Sequence, residues 1–526
     1  MNRIPRLLIT LTFLLLALGQ GKAAPVLNEI MFHPLGTPVE NPAQEWIEIL
    51  NPDAVVVNVG NWKLSKGVAF TIPANTMIQP GQFLVIAANL AAFSAAHPGF
   101  AGQVVGGWTG SLSGSGEQIQ LDDSLGVKVN DVTYASDGEW GLRGRGALSF
   151  SHRGWAWFND ADGNGRTIEL RNPALGNGSG QNWGVSAAVG GSPGAANALA
   201  SVNVAPLIKN VAHHPDLPHS TDPIEFVCNV EDEAAGATAT LRWRLDGAGS
   251  FNTALMTDTD GDGDLEVSIP AQANLAVIEW YISATDAASL TRTWPSPART
   301  SAIGVQPETF AQVTNALVQV DNSYDPAATF QTAANNPIYR LIMTNTERAE
   351  LVTIGTTSGQ EESSASMNGT FISHDGTGVK VRQLCGFRNR GQGSALGPPN
   401  NYHVTFRTDE RWNGLKSVAL NCRFGYSQAL GAALIERAGV ATQDTAVIKL
   451  RVNGADLAEA TARMYGRYVR VEGRGGDWAA HHFPSDPDGN FYRLDDHNPG
   501  TVGVPAGNLG SGEFRYEGAD PLAYSD

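Results

Sequence analysis

Arg388, Arg390, Gly391, Gln392, Gly393 and Ser394 fall within FRNRGQGSALGPPNNYHVTF, residues 387–406. Glycine lets backbone N–H groups come close to a ligand, and arginine offers a forked donor that fits phosphate or carboxylate. The pattern of strand end, loop and second strand makes these six residues a candidate phosphate cradle. A second piece, YGRYVRVEG at 465–473, reads as a strand in which Tyr468, Arg470 and Glu472 share a face. Glu472 is the candidate catalytic carboxylate, placed to orient a basic group or a metal-bound water. Pairing with Arg470 at a sheet surface is the structural alternative for the same residue.

Other residue sets suggest metals. DTDGDGDLE at 258–266 sets Asp258, Asp260, Asp262 and Asp264 at alternate positions, a spacing of oxygen donors that favours Ca2+. A full EF-hand loop counted from Asp258 needs an acid at its twelfth position, where Ile269 stands, so a solvated hairpin turn is the alternative. His481 and His482 lie near Asp477, Asp486 and Asp488. In an extended strand, adjacent side chains point to opposite faces, which argues against both histidines holding one ion. Cys228, Cys385 and Cys422 have no metal-type spacing and read as buried thiols.

The elements that must position these groups are mostly strands. With 59 Gly and 28 Pro in 526 residues, turns and short strands are favoured over long helices, and the length suits about three domains. A net charge of −17 argues against nucleic-acid and anionic-membrane partners. Arg3 and Arg6 precede the apolar run Leu7 to Leu18, and small residues follow at Ala23 and Ala24. Residues 1–24 therefore read as a signal peptide, with an uncleaved anchor as the competing reading. No later segment is apolar enough to span a membrane. The expected location is exported: secreted, periplasmic or cell-surface.

Residues 25–197 read as one β-sandwich with immunoglobulin-like character. In EWIEILN, Trp46 and Ile47 alternate only loosely with Glu45 and Glu48, so both faces of that strand are expected to be partly buried. Residues 204–303 read as a second sandwich. In IEWYISA, Ile278, Trp280 and Ile282 share one face and Glu279 and Tyr281 the other. Residues 310–526 change to α+β, with helices over TNTERAEL, capped by Thr344, and SQALGAALIERAG. In the latter, Ser427 is the expected cap, Leu430, Leu434 and Ile435 form the apolar stripe, and Gly439 is the stop. The expected fold class is mainly β: two Ig-like sandwiches and then an α+β domain, which the last resemblance given below makes an incomplete kinase-like one.

Three resemblances follow from these motifs. LNEIMFHP, EWIEILNPDAVVVNVGNWKLS, FTIPANTMIQPGQFLVIA, IQLDD and VNDVTY resemble, in that order, the lamin tail domain of many exported bacterial proteins. RTIELRNPALGNGSGQNWGVSAAVGGSPGAAN resembles the closing segment that follows it. This implies an interaction module whose partner is an extracellular or cell-envelope protein or polymer. Residues 204–303 resemble a fibronectin type III or related Ig-like spacer. From about residue 335, IYRLIMT, MNGTF, VKVRQLCGFRNRGQGS, the ALIERAGVATQDTAVIKLRVNG stretch, YGRYVRVEG and FRYEGADPLAYSD resemble CotH-type kinases. Such kinases use ATP and Mg2+. Asn400 and Asn401 stand where that family often has a lysine, with Lys380 and Lys416 the nearest alternatives, and its metal-binding carboxylates lie beyond the segment that matches. The resemblance thus implies a non-catalytic interaction protein. The alternatives are an Mg2+- and ATP-dependent secreted kinase whose remaining residues are missing here, and a purely adhesive surface protein.

Overall fold

The computed structural model describes residues 24–36, 41–302, 304–328, 330, 336–391 and 396–485, together with the strands Tyr492–Asp495 and Glu513–Tyr516. Residues 1–23 of the expected signal peptide lie outside the described residues. Among the described residues, no helix is long and apolar enough to cross a membrane.

The first unit is a sandwich. One sheet runs Trp183–Val185, Ile168–Leu170, Val26–Met31, Trp46–Leu50, Phe83–Ala87, Val104–Gly106; the other runs Lys128–Thr133, Gln118–Asp122, Lys63–Lys66, Phe70–Thr71. Ile47 and Ile49 point into the core between the sheets, while Trp46 and Glu48 are buried on the opposite face. Both faces of this strand are covered, as its loose alternation suggests. Helix α1, Leu90–Ala96, covers the apolar part of the outer face by seating Phe93 edge-on to Trp46.

The second unit packs Leu207–His214, Ile224–Glu231 and Leu265–Ile269 against a sheet built around Thr238–Leu245 and Val277–Thr285. Ile278, Trp280 and Ile282 are fully buried in its core, with Trp280 against Phe226 and Trp294. The other face of the same strand is only partly solvated. Glu279 is buried and takes a two-pronged ion pair from Arg244. The sheet gains a further strand, Ala316–Gln319, past the boundary at 303.

The third unit is more closed than an α+β layer. Its sheet runs Ile338–Ile342, Met367–His374, Val379–Arg390, Asn401–Thr405, Ser417–Asn421, Tyr468–Glu472, Thr445–Val452. Ile338–Ile342 then pairs in parallel with Thr445–Val452, so the sheet closes into a barrel. Closure removes both open edges. Tyr339, Phe371, Phe387, Tyr402, Trp412 and Tyr468 fill the interior. Helix α2, Asn345–Thr356, is capped by the Thr344 hydroxyl and adds Leu351 and Ile354 to that core. Helix α3, Gly425–Arg437, departs from the sequence reading at its start. Its cap is Phe424 in a left-handed conformation, and Ser427 lies inside the first turn. Its stop is the expected one, Gly439 at φ +79°. Ala429 packs on the barrel wall, and Leu430, Leu434 and Ile435 face solvent.

The units interlock. A hairpin of the first unit, Leu142–Arg145 with Trp155–Phe158, pairs through Gly144 with Arg299 of the second. Arg145 lies 3.8 Å over the Trp155 ring, and Arg299 4.5 Å over Phe158. The hairpin reaches α2, where Trp155 Nε1 donates to Glu347 at 2.8 Å and His152 Nδ1 lies 2.6 Å from Glu350. At its base, Asp137 accepts from Thr408 N and Oγ1, and Glu139 N donates to Asp409. Gly138 sits between them at φ +67°, where a Cβ would overlap the Asp409 carboxylate. Gly138→Ala is therefore expected to cost about 1–3 kcal/mol. Gly178→Ala, whose Cβ would meet nothing within 4 Å, serves as the control in the same denaturation series.

Candidate functional site

Val379–Arg390 ends at the arginine- and glycine-rich loop. Gly391 follows at φ +96°, and Gln392, Gly393 and Ser394 lie outside the described residues. The base of the loop is tied to the barrel. Arg390 donates to Asn421 at 3.3 Å, Asn389 to the Leu351 carbonyl at 2.9 Å, and Asn400 to the Gly355 carbonyl at 3.3 Å. Asn401 accepts the Cys422 N–H at 2.7 Å. Asn400 and Asn401, standing where a kinase lysine is sought, thus serve as structural ties. Burial, with Arg388 and Arg390 nearby, holds His403 well below the usual imidazole range. Lys380 donates to exposed Asn413. Lys416 is pushed down to about 8 by burial and by Arg411.

The register separates this loop from Glu472. Phe387, Val404, Val418 and Glu472 lie on one level across the barrel wall. Arg390 is three residues further along its strand, which makes the offset roughly 10 Å along the strands and roughly 14 Å across them. The two candidate halves do not converge.

Glu472 instead meets the two histidines. Tyr468, Arg470 and Glu472 do share a face, the barrel interior, while Val469 and Val471 pack outside beneath α3. Arg470 donates to the Asp444 carbonyl. The Glu472 carboxylate accepts Asp444 N–H at 3.0 Å and lies 3.0 Å from His481 Nδ1 and 2.9 Å from His482 Nε2. Burial raises the Glu472 carboxyl, but these donors outweigh it and leave it below the usual range. The same bond lifts His481 above its ordinary value. The histidines converge because they end a short helix, α4, Gly476–His482, where a strand would have parted them. Asp477 faces elsewhere, accepting from Lys416 N at 2.8 Å. Asp486 and Asp488 lie outside the described residues.

The DTDGDGD segment is an exposed turn between Asn252–Met256 and Leu265–Ile269. Asp258, Asp260 and Asp262 converge, but they already close the turn by accepting N–H groups of Gly261, Gly263, Asp262 and Asp264. Asp264 turns away to Asn229. The three cysteines are buried and unbridged, with burial pushing the thiols of Cys228 and Cys385 up to about 12 and that of Cys422 up to about 11.

One constellation escapes sequence reading. Glu48, Glu29 and Glu169 form a row of cross-strand neighbours on the outer face of the first sheet, all buried. The segment after Val185 lies over them. Ser192 N and Gly194 N donate to Glu29 and Glu48 at 2.9 and 2.5 Å. Ser192 sits in Gly190–Gly191–Ser192–Pro193–Gly194, a G-x-S-x-G spacing, but no helix follows it, so it is not the strand-to-helix turn of a nucleophile elbow. Its hydroxyl donates to Glu29 and Glu169, at 3.1 and 3.2 Å. Burial and mutual repulsion push Glu29 up to about 7 and Glu48 up to about 8. A carboxyl raised in the folded state contributes stability that is lost as pH climbs from the unfolded value through the folded one, here between about 4.5 and 8. Glu48→Gln is therefore expected to melt with the parent at pH 5 and later than the parent at pH 8.5, by scanning fluorimetry.

No curated protein matches the chain. Residues 20–136 match the family model described as Lamin Tail Domain. The matched span ends before the segment that covers the glutamate row, so the Ig-like sandwich at the N-terminal end of the chain carries a lamin tail domain within it.

Proposed function

We propose that this protein is an exported, modular interaction protein. Its lamin tail domain binds an extracellular or cell-envelope protein or polymer, and its third unit, which resembles CotH-type kinases, acts by binding rather than by phosphoryl transfer. One observation carries the second half of this reading. The Arg390 end of the phosphate-cradle strand and Glu472 lie on different levels of the barrel, and Glu472 is committed to Asp444, His481 and His482. Phosphoryl transfer needs phosphate donors and metal-holding carboxylates around one group. The match at residues 20–136 supports the first half. The interlocking of the hairpin with both later units supports a single rigid binding body rather than modules on flexible tethers.

The test has two readouts on the full chain. It is expected to sediment saturably with isolated envelopes of the producing cells, and protease treatment of those envelopes separates a protein receptor from a polymer. It is expected to release no ADP from Mg2+–ATP beyond the level of Glu472→Gln. Turnover that Glu472→Gln abolishes would establish a kinase instead, and absence of saturable sedimentation would remove the binding reading.

A further inference from the structure

Glu472 is a buried acid at the end of a barrel strand of the third unit. Its carboxylate is fully shielded at the end of a barrel strand, and an ionised carboxylate there needs positive charge or several donors. Arg470, two residues earlier on the same face, turns to the Asp444 carbonyl instead. What faces the carboxylate is a pair of imidazoles, with His481 Nδ1 on one oxygen and His482 Nε2 on the other.

Three features give this set the form of a metal site. The ligand atoms of Glu472, His481 and His482 all lie within 4.8 Å of one another. Donor atoms about 2.0–2.2 Å from a shared tetrahedral ion stand about 3.3–3.6 Å apart, so the hydrogen-bonded separations of 3.0 and 2.9 Å need to open only slightly to admit one. The groups around the set also hold its members in place. Asp444 N–H fixes the carboxylate, Gln443 binds the Glu472 carbonyl, and the Trp478 ring lies 5.0 Å from that of His482. These contacts order the Glu472 carboxylate and the His482 ring independently of any ion. Finally, access is one-sided: the His481 side chain is 54% exposed, His482 17% and Glu472 0%. An ion entering from the His481 side would keep part of its coordination shell in water.

We propose that Glu472, His481 and His482 form a binding site for a first-row divalent transition metal of the Zn2+ class, with at least one coordination position open to solvent. Two imidazoles and one carboxylate favour such ions over Ca2+ and Mg2+, which prefer all-oxygen shells. Three protein ligands with an open position is also the arrangement of zinc sites that bind a water or an exogenous group. The site clamps α4 to the barrel strand through the ion and is separate from the glycine-rich loop.

The test uses the full chain without an affinity tag, stripped with a chelator and titrated with Co2+, then with Zn2+. One Co2+ per chain is expected, with a visible absorption band that Zn2+ abolishes. His481→Ala removes an exposed side chain and is expected to leave folding intact while weakening Co2+ binding at least as much as the about 10–100-fold typical of lost supporting partners. His482→Ala should do the same. Zn2+ should raise the melting temperature of the parent and not that of His481→Ala. Asp258→Asn should change nothing. The proposal is overturned if no stoichiometric Co2+ binding occurs, if both histidine variants bind as the parent does, or if Asp258→Asn removes the band.

Discussion

The docking of the first unit on the third centres on one largely shielded carboxylate. Asp409 holds both prongs of Arg407, at 2.8 Å each, and accepts the N–H of Glu139 from the first unit. Beside it, Asp137 of the first unit is pushed up to about 6 by burial and by Asp409. A buried ion pair adds little net stability, but removing one member strands the other in a dry site. Here the stranded groups would belong to different units. The cluster therefore acts less as glue than as a positioning device, because docking is satisfied only when the hairpin base enters at one place. The tryptophans of the hairpin, the Gly144 to Arg299 pairing and the contact with α2 all follow from that entry point.

The second junction works by different means. Leu317 N of the strand that completes the second unit donates to Thr370 and Gln383 on the outer barrel wall, while Val277 and Leu317 pack on Ile342 and Ile372. Asp321 then pairs with Arg340 at 2.7 Å, both almost fully buried. A strand whose two sides belong to different cores cannot move without opening both. This makes the second sandwich a structural member of a larger body.

Much of this was legible from side-chain periodicity, and the limits of periodicity explain the rest. The alternation of Ile278, Trp280 and Ile282 fixed a core face, the blurred alternation around Trp46 signalled a strand covered on both sides, and Thr344 marked a helix start. Each depends on neighbours within a few residues. Barrel closure does not, since it joins Ile338–Ile342 to Thr445–Val452 by a pairing that neither segment encodes alone. The start of α3 was missed because Phe424 takes a left-handed turn without a side-chain cap. The convergence of His481 and His482 was missed for a related reason: a strand and a seven-residue helix place adjacent side chains in different directions, and the local sequence allowed both.

Two buried carboxylates show how the donors around an acid, more than its depth, decide its chemistry. Glu48 and Glu472 are both sealed from solvent within sheets. Around Glu48 stand a backbone N–H, an asparagine amide and two further glutamates, so burial wins and the acid is held toward its protonated form. Around Glu472 stand a backbone N–H and two imidazoles, and the balance tips toward the carboxylate. The first arrangement neutralises its charge by keeping a proton, which suits a covered structural layer. The second keeps its charge and surrounds it with groups that can exchange protons for a metal ion, on the side where His481 meets solvent. The same residue type thus serves closure in one sheet and ligand capture in the other, and the difference is set by whether the covering segment contributes amides or imidazoles.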